Sequence, residues 1–198
     1  MDLILKIIFT TSHRPTPRTR SLLKDLVSVI PFSIRITRGK YTLEVLALQA
    51  VDIEADRIVI LRNWKGNPRY LDIYLVNPVP RTVKKICTLT LCGYSLVREC
   101  KHRIPVQKPL FLAIPINTIV DKPIPDDMVE CLVQGLKVRI EDVSKLCTLY
   151  RDKVLLLDIA LKSSRKGKVF ELQFKDCKGE RYGPVLRVCK ARIFIEPL

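Results

Sequence analysis

The 198-residue sequence predicts an α/β (α+β) fold made of two related halves, and three observations carry that expectation. Apolar residues recur at three- and four-residue spacing in some segments and alternate in others, so helices and strands both occur. In the first half the order reads strand, helix, strand, helix, strand, strand, which makes a layered fold with a mixed sheet. A strand–helix start and a strand-rich finish then recur loosely in the second half, placing the halves at about 1–100 and 101–198 of a single domain.

Residues 3–9, apolar apart from Lys6, read as a buried strand. Thr16 stands where an N-cap belongs and Pro17 at the first helical position. Leu22, Leu23, Leu26, Val29 and Ile30 then mark one face of a helix that stops before Pro31. "SIRIT" alternates as a short strand, "RGKYT" turns, and Thr42 caps a second helix with Leu43, Leu46, Ala47 and Ala50 on one face. "RIVIL" (57–61) reads as a core strand, "RNWKGNP" as a turn and "YLDIYLV" as the returning strand. From Thr82 the β-branched, alternating texture fits one long bent strand or a hairpin around Gly93.

In the second half "KPLFLAIPI" reads as a strand. "PDDMVECLVQGLKV" reads as a helix with Asp126 and Asp127 in its first turn, where acids suit the dipole. "KVLLLDIALK" and "KVFELQFKD" flank the turn "SSRKG" as a hairpin, and "LRVCKARIFI" closes as a strand.

Charge narrows the function. Lys and Arg number 35 against 20 Asp and Glu, a formal net charge of +15. Both halves share the excess, with 16 basic against 8 acidic residues in 1–100 and 19 against 12 in 101–198. Such a surface favours a polyanionic partner, nucleic acid before an anionic membrane. "MDLILKIIF" is interrupted by Lys6 and followed by no cleavage site, so no secretory signal is expected. No apolar run nears the about 20 residues of a membrane span. The chain is expected to stay in the compartment where it is made.

Seven cysteines without a C-x-x-C pair, and only two histidines, lack zinc spacing. Buried reduced thiols are expected, disulfides being the alternative in a hyperthermophile.

The catalytic options are thin. Ser12 and His13 are adjacent, so on an extended chain their side chains diverge, and His102 has no identifiable partner. Neither phosphate-loop pattern, G-x-x-x-x-G-K-[ST] or G-x-G-x-x-G, occurs. Asp126–Asp127 and Glu141–Asp142 read as helix-surface acids. No catalytic residue, metal or cofactor is expected.

Binding has better candidates. The turn into the first helix exposes unpaired N–H groups beside Arg14, Arg18 and Arg20, and cations at a helix N-terminus make sense when an anion sits between them. Arg35, Arg38 and Lys40 form a second basic turn, and Arg62, Trp64, Lys65 and Arg69 a third. Trp64, the sole tryptophan, sits in a polar loop where it could stack on a base or fold back on the core.

These residues resemble the Brix domain family. Residues 9–76 carry its Pro- and Arg-rich turn before the first helix, an R-G-K turn before the second, and G-N-P after a buried strand. "GERYGPVLRVCKARI" resembles its closing G-P and strand. Arg69 after G-N-P and Val185 after the closing G-P depart from the family's usual residues. The resemblance implies an archaeal ribosome biogenesis factor of the cytoplasm that binds ribosomal RNA or pre-rRNA, not an enzyme. It further implies two halves related by a pseudo-twofold and a likeness to anticodon-binding domains. Ribosomal or assembly proteins are further expected partners, no membrane is, and the protein is expected to be a monomer. The alternatives from other classes are an RNA-processing or RNA-modifying enzyme and a protein-interaction scaffold.

Overall fold

A computed structural model describes residues 5–164 and 167–194. The described residues form one mixed ten-stranded sheet of order β2-β1-β3-β4-β5-β10-β9-β8-β6-β7. In the first half, β1 (Lys6–Thr11) leads through α1 (Pro17–Val29) to β2 (Ser33–Arg35) and through α2 (Leu43–Asp52) to β3 (Ala55–Trp64). The strands β4 (Asn67–Asn77) and β5 (Thr82–Ser95) follow, with the one-turn helix α3 (Val97–Cys100) after them. In the second half, β6 (Phe111–Pro115) is followed by α4 (Ile116–Asp121), α5 (Asp126–Glu130) and a π-helical turn over Cys131–Gly135. Then come β7 (Arg139–Glu141), α6 (Val143–Tyr150), β8 (Val154–Ser164), β9 (Gly167–Lys175) and β10 (Arg181–Ile193).

The pairing sense repeats between halves. β1 lies parallel to β2 and β3, while β3, β4 and β5 run antiparallel. β6 likewise lies parallel to β7 and β8, and β8, β9 and β10 run antiparallel. The last strand of each half then pairs with the other, β5 with β10, over eight residue pairs.

Alternation along β1 sends its neighbours to opposite faces. Ile7 and Phe9 join Leu22, Leu26 and Val29 of α1, whereas Ile8 joins Leu46 and Ala50 of α2. The α1 face carries the large core, which runs across both halves from Leu71 and Leu89 to Leu157, Leu172 and Leu186. α6 covers the far edge through Leu146 against Ala113 and Val154.

Both expected N-caps are present: Thr16 accepts from the Thr19 N–H and Thr42 from the Val45 N–H. The long-strand reading of 82–95 holds, with a bend at Cys92 where the register skips between Leu91–Val188 and Gly93–Arg187. The turn "RNWKGNP" shrinks to Lys65 and Gly66, both at positive φ (48° and 81°), as a tight two-residue hairpin requires. The β8–β9 hairpin is present, but Arg165 and Lys166 of its expected turn lie outside the described residues.

Elsewhere the structure departs from expectation. "KPLFLAIPI" ends as strand at Pro115, and α4 starts on the next residue. The expected helix 125–138 is one α-turn followed by the π-turn. Glu141 closes β7 and Asp142 caps α6 by accepting from the Ser144 N–H, so neither is a helix-surface acid. Four cysteines are not reduced thiols: Cys87 bonds Cys131 and Cys147 bonds Cys177. The partners lie 44 and 30 residues apart in different parts of the chain, so only the tertiary fold reveals the pairing.

A buried carboxylate sits in the middle antiparallel strand of each half. Asp72 on β4 accepts from Arg62, from Lys85 Nζ at 2.6 Å and from Thr88 Oγ1 at 2.7 Å. Glu171 on β9 accepts from Lys162 Nζ at 2.7 Å and Arg187 Nε at 2.9 Å. Burial pushes both carboxyls up, and the cations and donors around them outweigh it, holding both below the usual range.

Because its native pKa is depressed, Asp72 contributes stability above about pH 4 that disappears as the pH falls through the native value. Asp72→Asn is therefore expected to cost about 2–4 kcal/mol of unfolding free energy at pH 7. Denaturant unfolding of variant and parent should converge as the pH drops below about 4.

Gly183 supplies a second test. Its φ is +62°, and a Cβ there would lie 2.5 Å from Val29 Cγ1. Gly183→Ala is expected to lose about 1–3 kcal/mol. Combined with Val29→Ala the loss should be less than additive, because the smaller partner removes the steric part and leaves only the backbone strain.

Candidate nucleic-acid interface

The chain leaves β1 for α1 on one face of the sheet and leaves β2 for α2 on the other. Adjacent parallel strands whose exits part in this way open a crevice beyond their C-terminal ends. Here the crevice measures about 380 Å³, and Thr11, Ser12, Arg14, Arg20, Arg35 and Arg38 line it. The first and second basic turns, separate in sequence, thus meet at one place.

Local bonds set its walls. His13 Nδ1 lies 3.1 Å from the Gly39 carbonyl and ties the two loops together. Arg14 has a positive φ of 53°. Arg20 donates to the Pro15 carbonyl at 3.1 Å, and Arg38 Nε donates to the Tyr41 carbonyl at 2.9 Å. No carboxylate lines the crevice, and none of its four arginines is ion-paired among the described residues. Guanidinium groups gathered at one cleft without an ion pair raise the local potential and favour an anion.

The start of α1 contributes less than its sequence suggests. Pro17 has no N–H, and the Thr19 N–H is taken by Thr16 Oγ1, which leaves the Arg18 amide as the nearest free donor of the first turn. The Arg18 side chain turns away from the crevice. It donates to the Tyr94 hydroxyl at 2.7 Å and pairs with Glu99 at 2.8 Å. There it lines a different cleft with Trp64 and Arg69. Partners 76 and 81 positions away left no trace in the local sequence.

Of the remaining candidates, Lys40 is exposed in the loop beyond the crevice and Lys65 is exposed at the β3–β4 tip. Trp64 is 58% exposed, so it does not fold back on the core. His13 faces Gly39 instead of Ser12, and His102 Nδ1 lies 3.1 Å from the Gly183 carbonyl. Neither histidine has the nucleophile–base geometry of acyl or phosphoryl transfer.

Among the described residues no cluster of three or more His, Cys, Asp or Glu could hold a metal ion. No described helix is long and apolar enough to cross a membrane.

No protein-family profile matches the chain. Curated proteins do. A "Probable Brix domain-containing ribosomal biogenesis protein" of Aeropyrum pernix is 43% identical over 96 residues, 48% of this chain and 53% of that protein. Its Pyrococcus horikoshii counterpart is 47% identical over 110 residues, 54% and 48% of the two chains. The chain thus spans about half the length of these relatives. A Sulfurisphaera tokodaii protein of the same description is 29% identical over 185 residues, 92% of this chain and 91% of that one.

Among solved structures, the crystal structure of a probable ribosomal biogenesis protein from Aeropyrum pernix superposes with a TM-score of 0.78. It is 30% identical, and the match covers 94% of this chain and 96% of that one. Mil, an archaeal Imp4-like protein, shares the fold with a TM-score of 0.60 at 18% identity, over 94% and 99% of the chains. The ten-stranded sheet, the R-G-K and G-N-P turns and these full-length likenesses agree: the chain belongs to the archaeal Brix domain-containing ribosomal biogenesis proteins.

Proposed function

We propose that this protein binds ribosomal RNA or its precursor as a non-catalytic assembly factor, gripping phosphates in the crevice at the ends of β1 and β2. The observation that carries this reading is the convergence of Arg14, Arg20, Arg35 and Arg38 on one cleft that no carboxylate lines. Arginine forks suit phosphate oxygens, and contacts to phosphate set register without reading sequence. Lys40 extends the basic loop, and Arg18, Trp64, Lys65 and Arg69 form a second contact region at the β3–β4 hairpin. Structured RNA, recognised by shape and backbone, fits such a surface.

The same reading makes residues 1–198 one domain, with halves of about 1–100 and 101–198 related by a pseudo-twofold, as in anticodon-binding domains. The repeated strand order and pairing sense support that symmetry. The protein would act as a cytoplasmic monomer, with ribosomal or assembly proteins as further partners.

A phosphate grip must weaken as salt rises, with a log–log slope proportional to the phosphates engaged. Arg35→Ala combined with Arg38→Ala is expected to flatten that slope by about one to two, measured with a ribosomal RNA fragment. Its thermal midpoint should stay near that of the parent, since neither arginine pairs with a carboxylate. An affinity insensitive to salt, or a slope the pair leaves unchanged, rules the crevice out.

A further inference from the structure

A second basic channel lies away from the crevice. Trp64, Arg69 and Cys92 help to line a cleft of about 410 Å³. Arg69 and Cys92 also line a larger one of about 950 Å³, together with Lys162, Lys168, Arg187 and Cys189. The shared residues join the two into one groove that crosses the β5–β10 seam. Its cations come from both halves of the chain.

No carboxylate lines either cleft. Arg18 is held by Glu99, and Lys162 and Arg187 by the buried Glu171. Arg69 and Lys168 have no ion-pair partner among the described residues. At one end stands Trp64, 58% exposed on its tight hairpin.

A basic track with an aromatic platform is the arrangement that holds an unpaired strand, phosphates along the cations and a base against the ring. A duplex keeps its bases stacked inside and offers Trp64 nothing to cover. We propose that this groove binds a single-stranded RNA segment across the junction of the two halves, with Trp64 stacking on a base and Arg69, Lys168 and Arg187 meeting its phosphates. This rests on the RNA-binding reading above and adds to it a strand type and a second site.

Trp64 is the sole tryptophan, so intrinsic fluorescence reports the proposed stack directly. Titration with an oligouridylate of about twelve nucleotides is expected to quench it and to slow alkylation of the exposed Cys92. Arg69→Glu with Lys168→Glu should weaken oligouridylate binding at least about tenfold, and Trp64→Leu about five- to tenfold. Circular dichroism and thermal melting identify any variant that fails to fold, and the fluorescence and alkylation readings on the unaltered chain stand without variants.

Oligouridylate binding that neither quenches Trp64 nor protects Cys92 overturns the groove. Binding to a folded RNA hairpin without binding to oligouridylate overturns the single-strand assignment and leaves the crevice reading standing. Failure to bind either RNA overturns the RNA-binding reading itself.

Discussion

The antiparallel pairing of β5 with β10 is the interaction on which the rest of the structure depends. Each half ends in the strand that joins the other, so two five-strand units become one sheet. That junction lets a single apolar core run beneath both halves, from α1 to the π-turn. On the opposite face α2 packs over β1, β3 and β4 as far as Val83 of β5, and α6 packs over β6 and β8. The bend at Cys92 and the neighbouring Cys189 belong to this seam. Their strands skip register where they cross, and Arg187 packs over Gly93, where a Cβ would come within 3.3 Å of its Cδ.

The face opposite the large core has a further source of order in two buried carboxylates. Asp72 sits opposite Ile60, with Arg62 two residues further along β3. Glu171 sits opposite Ala160, with Lys162 two residues further along β8. A cation from the seam completes each cluster, Lys85 from β5 and Arg187 from β10. A carboxylate buried on a sheet and satisfied from both neighbours fixes strand register, because a slip of one residue would carry it to the apolar face. The halves share this device although their sequences barely resemble each other.

Much of the first half was legible because its signals are local. Thr16–Pro17 and Thr42 announce helix starts through cap chemistry, and Lys65–Gly66 announces a tight turn through backbone preference. The second half yielded less. α4 begins directly after Pro115 with no side-chain cap, and the expected long helix breaks where Cys131 is tied to β5 and Gly135 lies against Ile73. Those causes lie 44 and 62 residues away in sequence, beyond any window of periodicity. The site divides in the same way. Arg14, Arg20, Arg35 and Arg38 were identifiable from their turns, but the departure of Arg18 toward Tyr94 depends on a strand 76 positions distant.

Repetition of the fold makes the difference between the halves informative. The same topology brings the ends of β6 and β7 to the equivalent place in the second half, yet the residues there differ in charge. Phe9 pairs with Arg35 at the third register position of β1 and β2, and Pro115 pairs with Glu141 at the third position of β6 and β7. The N-terminal half inserts a loop bearing Arg14 before its helix, whereas α4 starts immediately after its strand. After β2 comes Arg38; after β7 comes Asp142, consumed in capping α6. An anion would meet four guanidinium groups beyond β1 and β2 and the carboxylate of Glu141 at the end of β7. Symmetry of the backbone therefore does not make the surface symmetric. On the proposed reading a phosphate backbone enters from the N-terminal side, and the halves share it only along the seam, where Arg69 of one and Arg187 of the other line the same groove.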